Sequence, residues 1–452
     1  MPLYPQRGTG LTEFRMPQSA FPIRCLVVPL LTVLMGTAVA PAADWPQWRG
    51  PDRNDTTTDS SGWPTGWPPV ELWKANVGRG CTSPVVVGDR LYVMGWQGDR
   101  RGPGADTVYC LNSRSGKEMW KQACPSPYQG RHRTGDQGEY GGPSSTPTFD
   151  PQTQCLFTLG IDGDLACWDA AHDGKPLWRN NLYDEYKVRQ RPDVGGGTRD
   201  YGFTSSPLMV GDTVVVEVGA PAPTVVAFDK KTGLERWRSA LSDPAGHTGG
   251  PVPIKIEGLD CLATLSVGRL VVMRTDPGHE GQTLAEYPWR TDFACNLATP
   301  TVLGNQVLLT SAYNRQKTAL VEISLTGARL KWESAAHAMV ASPVVRTDRV
   351  YLVYGTVKCL DLVTGRILWQ GGNFGHGSAI ATADRKLVGF GNGTLALLDL
   401  AGDNDRYREL SSLKRVVPDL CYPHVVLAGG LLFCKDRAGN LVCLSTAGKP
   451  TN

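Results

Sequence analysis

Three aspartates recur at matching places in this chain, Asp169, Asp229 and Asp361, each followed by a turn and then a tryptophan. Carboxylates at fixed spacing could serve as ligands or bases, so the strings that carry them need an explanation. They are ACWDAAHDGKPLW (166–178), VAFDKKTGLERW (226–237) and KCLDLVTGRILW (358–369), with relatives at YCLNSRSGKEMW (109–120) and LVEISLTGARLKW (320–332). One relative has Asn112 for the Asp, an exchange that a structural position tolerates. An Asp or Asn ahead of a glycine turn accepts hydrogen bonds from the turn backbone, and that role tolerates the exchange. The repeated acid is therefore expected to be structural, and the closing Trp to pack between repeats with its N–H on a carbonyl.

Residues that do not repeat are better candidates for function. Two insertions, 122–145 and 181–205, concentrate Arg131, His132, Arg133, Tyr140, Arg189, Arg191, Arg199 and Tyr201. Acidic residues nearly balance the arginines there, so a solvated, salt-bridged loop surface is the competing expectation. His247 and His376 stand at equivalent places ahead of repeats, and Tyr313-Asn314 are expected on a nearby loop. No G-x-S-x-G elbow, HExxH helix or Ser-His-Asp order is present. The chain has 12 cysteines but no C-x-x-C or clustered Cys/His spacing, so no metal site is expected. Cys110, Cys167, Cys359 and Cys443 share one repeat position with Ala227 and Val321, which marks a small apolar core site. Cys434 and Cys443 would face each other if Ala438-Gly439 were a two-residue hairpin loop, giving one disulfide; two buried free thiols are the alternative.

The elements that hold these residues follow from the repeats. Trp120, Trp178, Trp237, Trp289, Trp332 and Trp369 are spaced by 58, 59, 52, 43 and 37 residues, with Trp289 in a degenerate copy. Each unit opens on a small residue and usually a proline, and eight such openings run from Ser83-Pro84 to Tyr422-Pro423. Within a unit, SPVVVGDRLYVMGW (83–96) shows a short apolar strand, a Gly-Asp turn and an alternating strand. The quoted string adds a third strand, a turn and a fourth. Four short antiparallel strands per repeat describe a β-propeller blade. The last unit runs out after three strands, and VELWKANV (70–77), which contains Trp73, has no partner at the start. Joining them closes the ring and removes two sheet edges. The expected fold is all-β, an eight-bladed β-propeller closed by an N-terminal strand, with seven blades as the alternative.

At this point the rung (A/C)-x-D-x-x-T-G-x-x-x-W resembles the pyrroloquinoline-quinone-type propeller repeats found in quinoprotein alcohol dehydrogenases and in the assembly lipoprotein BamB. The opening DWPQWRGPDRN (44–54) is similar to secreted proteins of the same repeat family. The resemblance covers about 70–446. It implies a β-propeller, and two functions stay open. One is a non-catalytic binding or scaffolding module for a protein, peptide or glycan at the loop-rich face. The other is a quinoprotein oxidoreductase using pyrroloquinoline quinone with calcium. The second reading requires an adjacent Cys-Cys pair that this chain lacks, so no cofactor and no catalytic residue are expected.

Bulk properties bound the rest. The formal net charge of +3 is spread without a polybasic run, so nucleic acid is not an expected partner. Residues 1–43 read as an extension and signal peptide: Arg24, then the apolar CLVVPLLTVLMGTAVA (25–40), then small residues, with Met16 as an alternative start and a signal anchor as the competing reading. Residues 44–69 are an N-terminal arm and 70–452 the propeller. The expectation is a monomer exported to the periplasm or beyond, without a stable membrane anchor.

Overall fold

A computed structural model describes residues 13, 43–132, 138–188, 201–219, 221, 223–401 and 405–447. Strands pair in eight antiparallel sheets, in chain order within each sheet except the last. Blade 1 consists of Val85–Val87, Arg90–Gly98, Gly104–Asn112 and Glu118–Pro125. Blades 2 to 7 span 148–181, 208–238, 252–288, 301–334, 344–375 and 378–413. In blade 6 the middle strands run on as Arg349–Asp361, and Leu362 N donates to Asp348 O, so the stretch folds back on itself. Blade 8 combines Val426–Ala428, Leu431–Lys435 and Asn440–Ser445 with the N-terminal strand Val70–Asn76, in which Trp73 lies opposite Cys443. The eight-blade count and the closing strand are both as the repeats require.

Inner strands are apolar on both faces because each blade is covered by two neighbours; Arg90–Gly98 has six consecutive buried residues. Outer strands alternate, as in Glu118–Pro125, because one face looks outward. The rung does the structural work the sequence suggests. Asp229 Oδ1 accepts from the backbone N–H groups of Lys231 and Thr232 and from Thr232 Oγ1. Asp361 Oδ1 accepts from Thr364 N and Oγ1 in the same way. The indole of one blade then docks on the turn of the next. Trp73 Nε1 donates to Ser113 O (3.0 Å), Trp178 Nε1 to Lys230 O (3.1 Å) and Trp332 Nε1 to Leu362 O (2.9 Å). The turn glycine is needed for that contact: at Gly365, φ is 70° and a Cβ would stand 2.4 Å from Trp332 Cε3.

Details of the rung differ from the expectation. Trp120 is buried between blades, but its Nε1 has no hydrogen-bond partner. Trp289 lies one residue past its strand, fully buried between blades 4 and 5 with Arg315 4.5 Å over the ring, so it fills the same wedge from another position. Trp237 and Trp369 pair with Ala227 and Cys359 as their repeats do, whereas Trp332 pairs with Leu320 and not with Val321. The Cys434–Cys443 bridge is not formed: both are buried free thiols, the alternative that the sequence left open. Cys434 lies opposite Val442 and Cys443 opposite Phe433, because the turn spans four residues, Asp436 to Gly439. One residue of register sends the two side chains to opposite faces of the sheet.

Candidate functional site

The arm ahead of the ring proves to be part of the site. It runs past the turns that join first and second strands, where Asp44 Oδ1 accepts from Gly88 N and Asp59 O from Ala383 N. From there it enters the centre of the ring. Trp45 pairs with Val86 in blade 1, and Thr57 N donates to Ala381 O in blade 7. Two arginines, both 1% exposed, cross the channel. Arg49 Nη1 reaches Pro300 O (3.1 Å) and its Nη2 reaches Pro343 O and Thr301 Oγ1, both at 2.9 Å. Arg53 Nη1 reaches Pro251 O (2.9 Å) and its Nη2 the carbonyl of Pro207. The openings of four successive blades are thus tied to one segment, and their inward carbonyls find donors.

The charge on Arg49 is balanced inside the plug. Its Nε lies 2.5 Å from Asp55 Oδ2, and Asp55 Oδ1 lies 3.1 Å from His424 Nδ1. Burial works against ionisation of Asp55, yet Arg49 and His424 hold its carboxyl below the usual carboxylate range. Burial, with Arg49 nearby, pushes the Arg53 guanidinium down to about 9, which leaves it charged at neutral pH.

Above this plug, at the end of the ring where fourth strands connect to the next blade, lies a bowl of about 350 Å³. Its floor includes Trp48, whose Nε1 donates to Thr299 Oγ1 (2.9 Å) and whose ring is 4.3 Å from that of His424. Its wall is aromatic. Successive ring centroids run His376 to Tyr422 (5.3 Å), Tyr422 to Tyr140 (5.6 Å), Tyr140 to Tyr201 (6.0 Å) and Tyr201 to His247 (4.9 Å). Phe293 and Tyr313 follow at 6.4 Å from each other. Each of Tyr140, Tyr201, His247, Phe293, His376 and Tyr422 sits at a junction between consecutive blades, so the ring repeats itself as a collar. These tilted and edge-on spacings are the favoured geometry for aromatic pairs. Leu297, Met339 and Val340 complete the apolar lining, and Ser144, Thr204 and Cys81 add small polar groups. Burial pushes the Tyr313 and Tyr422 hydroxyls upward, so both stay protonated donors. No charged side chain lines the bowl among the described residues.

Of the residues singled out from sequence, Tyr140, Tyr201, His247 and Tyr313 line the bowl, and His376 stands behind Tyr422. Asn314 is exposed and accepts from Asp292 N. Arg131 and His132 lie away from the bowl, packed on Tyr183, with Arg131 Nη1 2.6 Å from Asp184 Oδ1. That ion pair is the solvated, salt-bridged surface weighed against a site. Arg133, Arg189, Arg191 and Arg199 lie outside the described residues. Sequence reasoning missed Trp48, Cys81, Phe293, Leu297 and Tyr422. The available signal was positional: several stand just ahead of the small-residue–proline openings.

Comparisons with known proteins add a lineage. The family model described as outer membrane protein assembly factor BamB matches residues 55–139 and 136–371, more than half of the chain. A protein of that name from Burkholderia pseudomallei (strain K96243) is 26% identical over 199 residues, 39% of this chain; the chain spans about half the length of that relative (48%). Among solved structures, BamB from Moraxella catarrhalis superposes with a TM-score of 0.55 at 13% identity, over 83% of this chain and 99% of that one. Quinohemoprotein alcohol dehydrogenase from Comamonas testosteroni does so with 0.60 at 12%, over 90% and 81%. At such identities these two likenesses speak for the fold alone.

Proposed function

Because the chain belongs to the outer membrane protein assembly factor BamB family of pyrroloquinoline-quinone-type propellers, we propose that it is a non-catalytic module that binds polypeptides during assembly of the cell envelope. The observation that carries this reading is the bowl: a closed-bottomed aromatic recess at the loop-rich mouth of a rigid ring, with no charged side chain in its lining among the described residues. A rigid scaffold that presents tyrosines at one mouth suits recognition, because a Tyr covers much area at little entropic cost. The relatives' name, an outer membrane protein assembly factor, supplies the partner class. An exported location, in the periplasm or outside the cell, belongs to the same proposal, as does action as a monomer.

The alternative, a quinoprotein oxidoreductase, meets a chemical obstacle. Pyrroloquinoline quinone is a polycarboxylate that works with calcium. Holding it takes oxygen ligands for the ion and cationic side chains for the carboxylates. Among the described residues the bowl lining has no carboxylate, amide side chain, lysine or arginine, and no cluster of three potential metal ligands exists. The described residues do not fit the group.

The test is equilibrium binding of a urea-unfolded outer-membrane β-barrel polypeptide, diluted into buffer with the purified chain. Wild type should bind it, and Tyr140→Glu should weaken binding at least tenfold, whereas Val363→Asp, 78% exposed in the turn ahead of Gly365, should not. Equal binding by all three chains would remove the mouth as the interface. Dye-linked alcohol oxidation with added pyrroloquinoline quinone and calcium would overturn the non-catalytic reading.

A further inference from the structure

We propose that the bowl is a receptor for one aromatic side chain of an extended polypeptide, seated on Trp48 of the chain's own N-terminal arm and enclosed by the collar of Tyr140, Tyr201, His247 and Tyr422. This deepens the binding role above and rests on it for the polypeptide carrier. Three observations fix the occupant.

The first is size. At about 350 Å³ the recess is at the small end of ligand pockets, so it has room for an indole or phenol ring and excludes a folded element. The second is charge. Arg437, whose guanidinium lies 5.4 Å over the Tyr140 ring, is spent on Asp419 (3.1 Å) and Glu139 (3.5 Å). Lys435 Nζ is fully buried on Gly80 O. An ionised group entering the bowl would lose its water without gaining a counter-charge. A glycan fits poorly for a related reason: each buried sugar hydroxyl needs a partner. The lining offers only scattered hydroxyls and no carboxylate or amide side chain among the described residues.

The third observation selects aromatic over aliphatic groups. The wall rings already meet each other tilted or edge-on, so their faces and edges are presented to the interior at several angles. A further ring can add two or three such contacts, each worth about 0.5–1.5 kcal/mol beyond area burial. A leucine side chain gains the area alone. The protonated Tyr422 hydroxyl, which lies 3.5 Å from that of Tyr140, and the hydroxyls of Ser144 and Thr204 can receive or donate to an indole N–H or phenol O–H. Tryptophan and tyrosine are therefore the best occupants.

The arm completes the site. Without it the channel would run through beneath the collar. Arg49 and Arg53 fill that channel and Trp48 closes the bowl above them.

Calorimetric titration with N-acetyl-tryptophanamide, N-acetyl-tyrosinamide, N-acetyl-leucinamide and methyl glucoside tests the inference. The two aromatic amides should bind at least tenfold tighter than the leucine amide, and the glucoside should not bind. Leu297→Glu places a carboxylate in the lining at a half-buried position that tolerates it, and should cut aromatic binding at least tenfold. Far-ultraviolet circular dichroism and the unfolding midpoint confirm the fold of the variant; Met339→Glu, also half-buried, is the second variant should the first be unstable. Leucinamide or glucoside binding as tightly as the aromatic amides, or aromatic binding unaffected by either variant, would overturn it. The outcomes separate from those of the parent reading. Mouth-dependent polypeptide binding without aromatic selectivity sinks only the inference. Selective ring binding without polypeptide binding sinks the role and leaves the receptor.

Discussion

Replacing Arg49 by Met should be the most damaging single change in the arm. Arg49 makes an ion pair of 2.5 Å with Asp55 and donates to Pro300 O, Thr301 Oγ1 and Pro343 O, all out of contact with water. Methionine keeps most of the volume and removes every donor. Asp55 is then left buried with only His424 beside it, and two carbonyls lose their partners. Removing one member of a buried pair costs about 3–5 kcal/mol, roughly two to four powers of ten in the folding equilibrium. The assay is urea unfolding followed by tryptophan fluorescence, with the stability change read from the midpoint at constant slope. The double variant Arg49→Met/Asp55→Asn should recover at least about 1 kcal/mol of the loss, because it no longer buries an isolated carboxylate. Acid should reveal the same pair. Asp55 has a folded pKa below its unfolded value, so its contribution is present above the unfolded pKa near 3.8 and is lost as pH falls through the lower folded value. The single variant should be less acid-sensitive than wild type. A loss under 1 kcal/mol, or no recovery in the double variant, would refute the account of the plug.

Gly365→Ala should cost about 2–4 kcal/mol, from left-handed strain plus the Cβ that would meet Trp332; Gly88→Ala, at φ 58° with open space around it, should cost only about 1–2 kcal/mol in the same urea assay. Trp73→Ala should lower stability by about 3–5 kcal/mol by emptying the closing wedge and freeing Ser113 O, measured by the unfolding midpoint. Asp106 is buried between blades 1 and 2 with Oδ1 unpartnered, and burial, with Asp164 and Asp162 nearby, pushes its carboxyl up to about 7. Its folded pKa exceeds the unfolded one, so it destabilises increasingly as pH rises from about 4 to about 7. Asp106→Asn should therefore raise the melting temperature at pH 8 and leave it nearly unchanged at pH 4; a gain at pH 4 alone would contradict this.

Fold and ring closure were legible because propeller repeats write the same packing solution many times. The T-G turn, the acid that binds its backbone and the docking Trp recur as one unit, so one copy explains the others. Register was less legible. The Cys434–Cys443 bridge depended on turn length, and a single extra residue in the Asp436–Gly439 turn reversed it. The site was legible only in part. Tyr140, Tyr201 and His247 could be placed because junctions between blades gather at one mouth. Trp48 could not, because its role depends on the arm entering the channel, and that entry is set by carbonyls contributed by four different blades. Of the loop arginines only Arg131 falls among the described residues. Arg131 is held by Asp162 and Asp184, so its charge is spent locally.

Among the described cysteines Cys81 alone is not fully buried, and it lines the bowl, which makes it a built-in reporter. The rate of Cys81 alkylation should be measured with and without a urea-unfolded outer-membrane β-barrel polypeptide at saturating concentration. The account predicts at least tenfold protection, equally strong in Asp361→Asn, which alters only the rung, and lost in Leu297→Glu. A polypeptide complex that forms while Cys81 reacts at its free rate would contradict the claim that the mouth, and not the repeated motif or the rim, is where this protein binds.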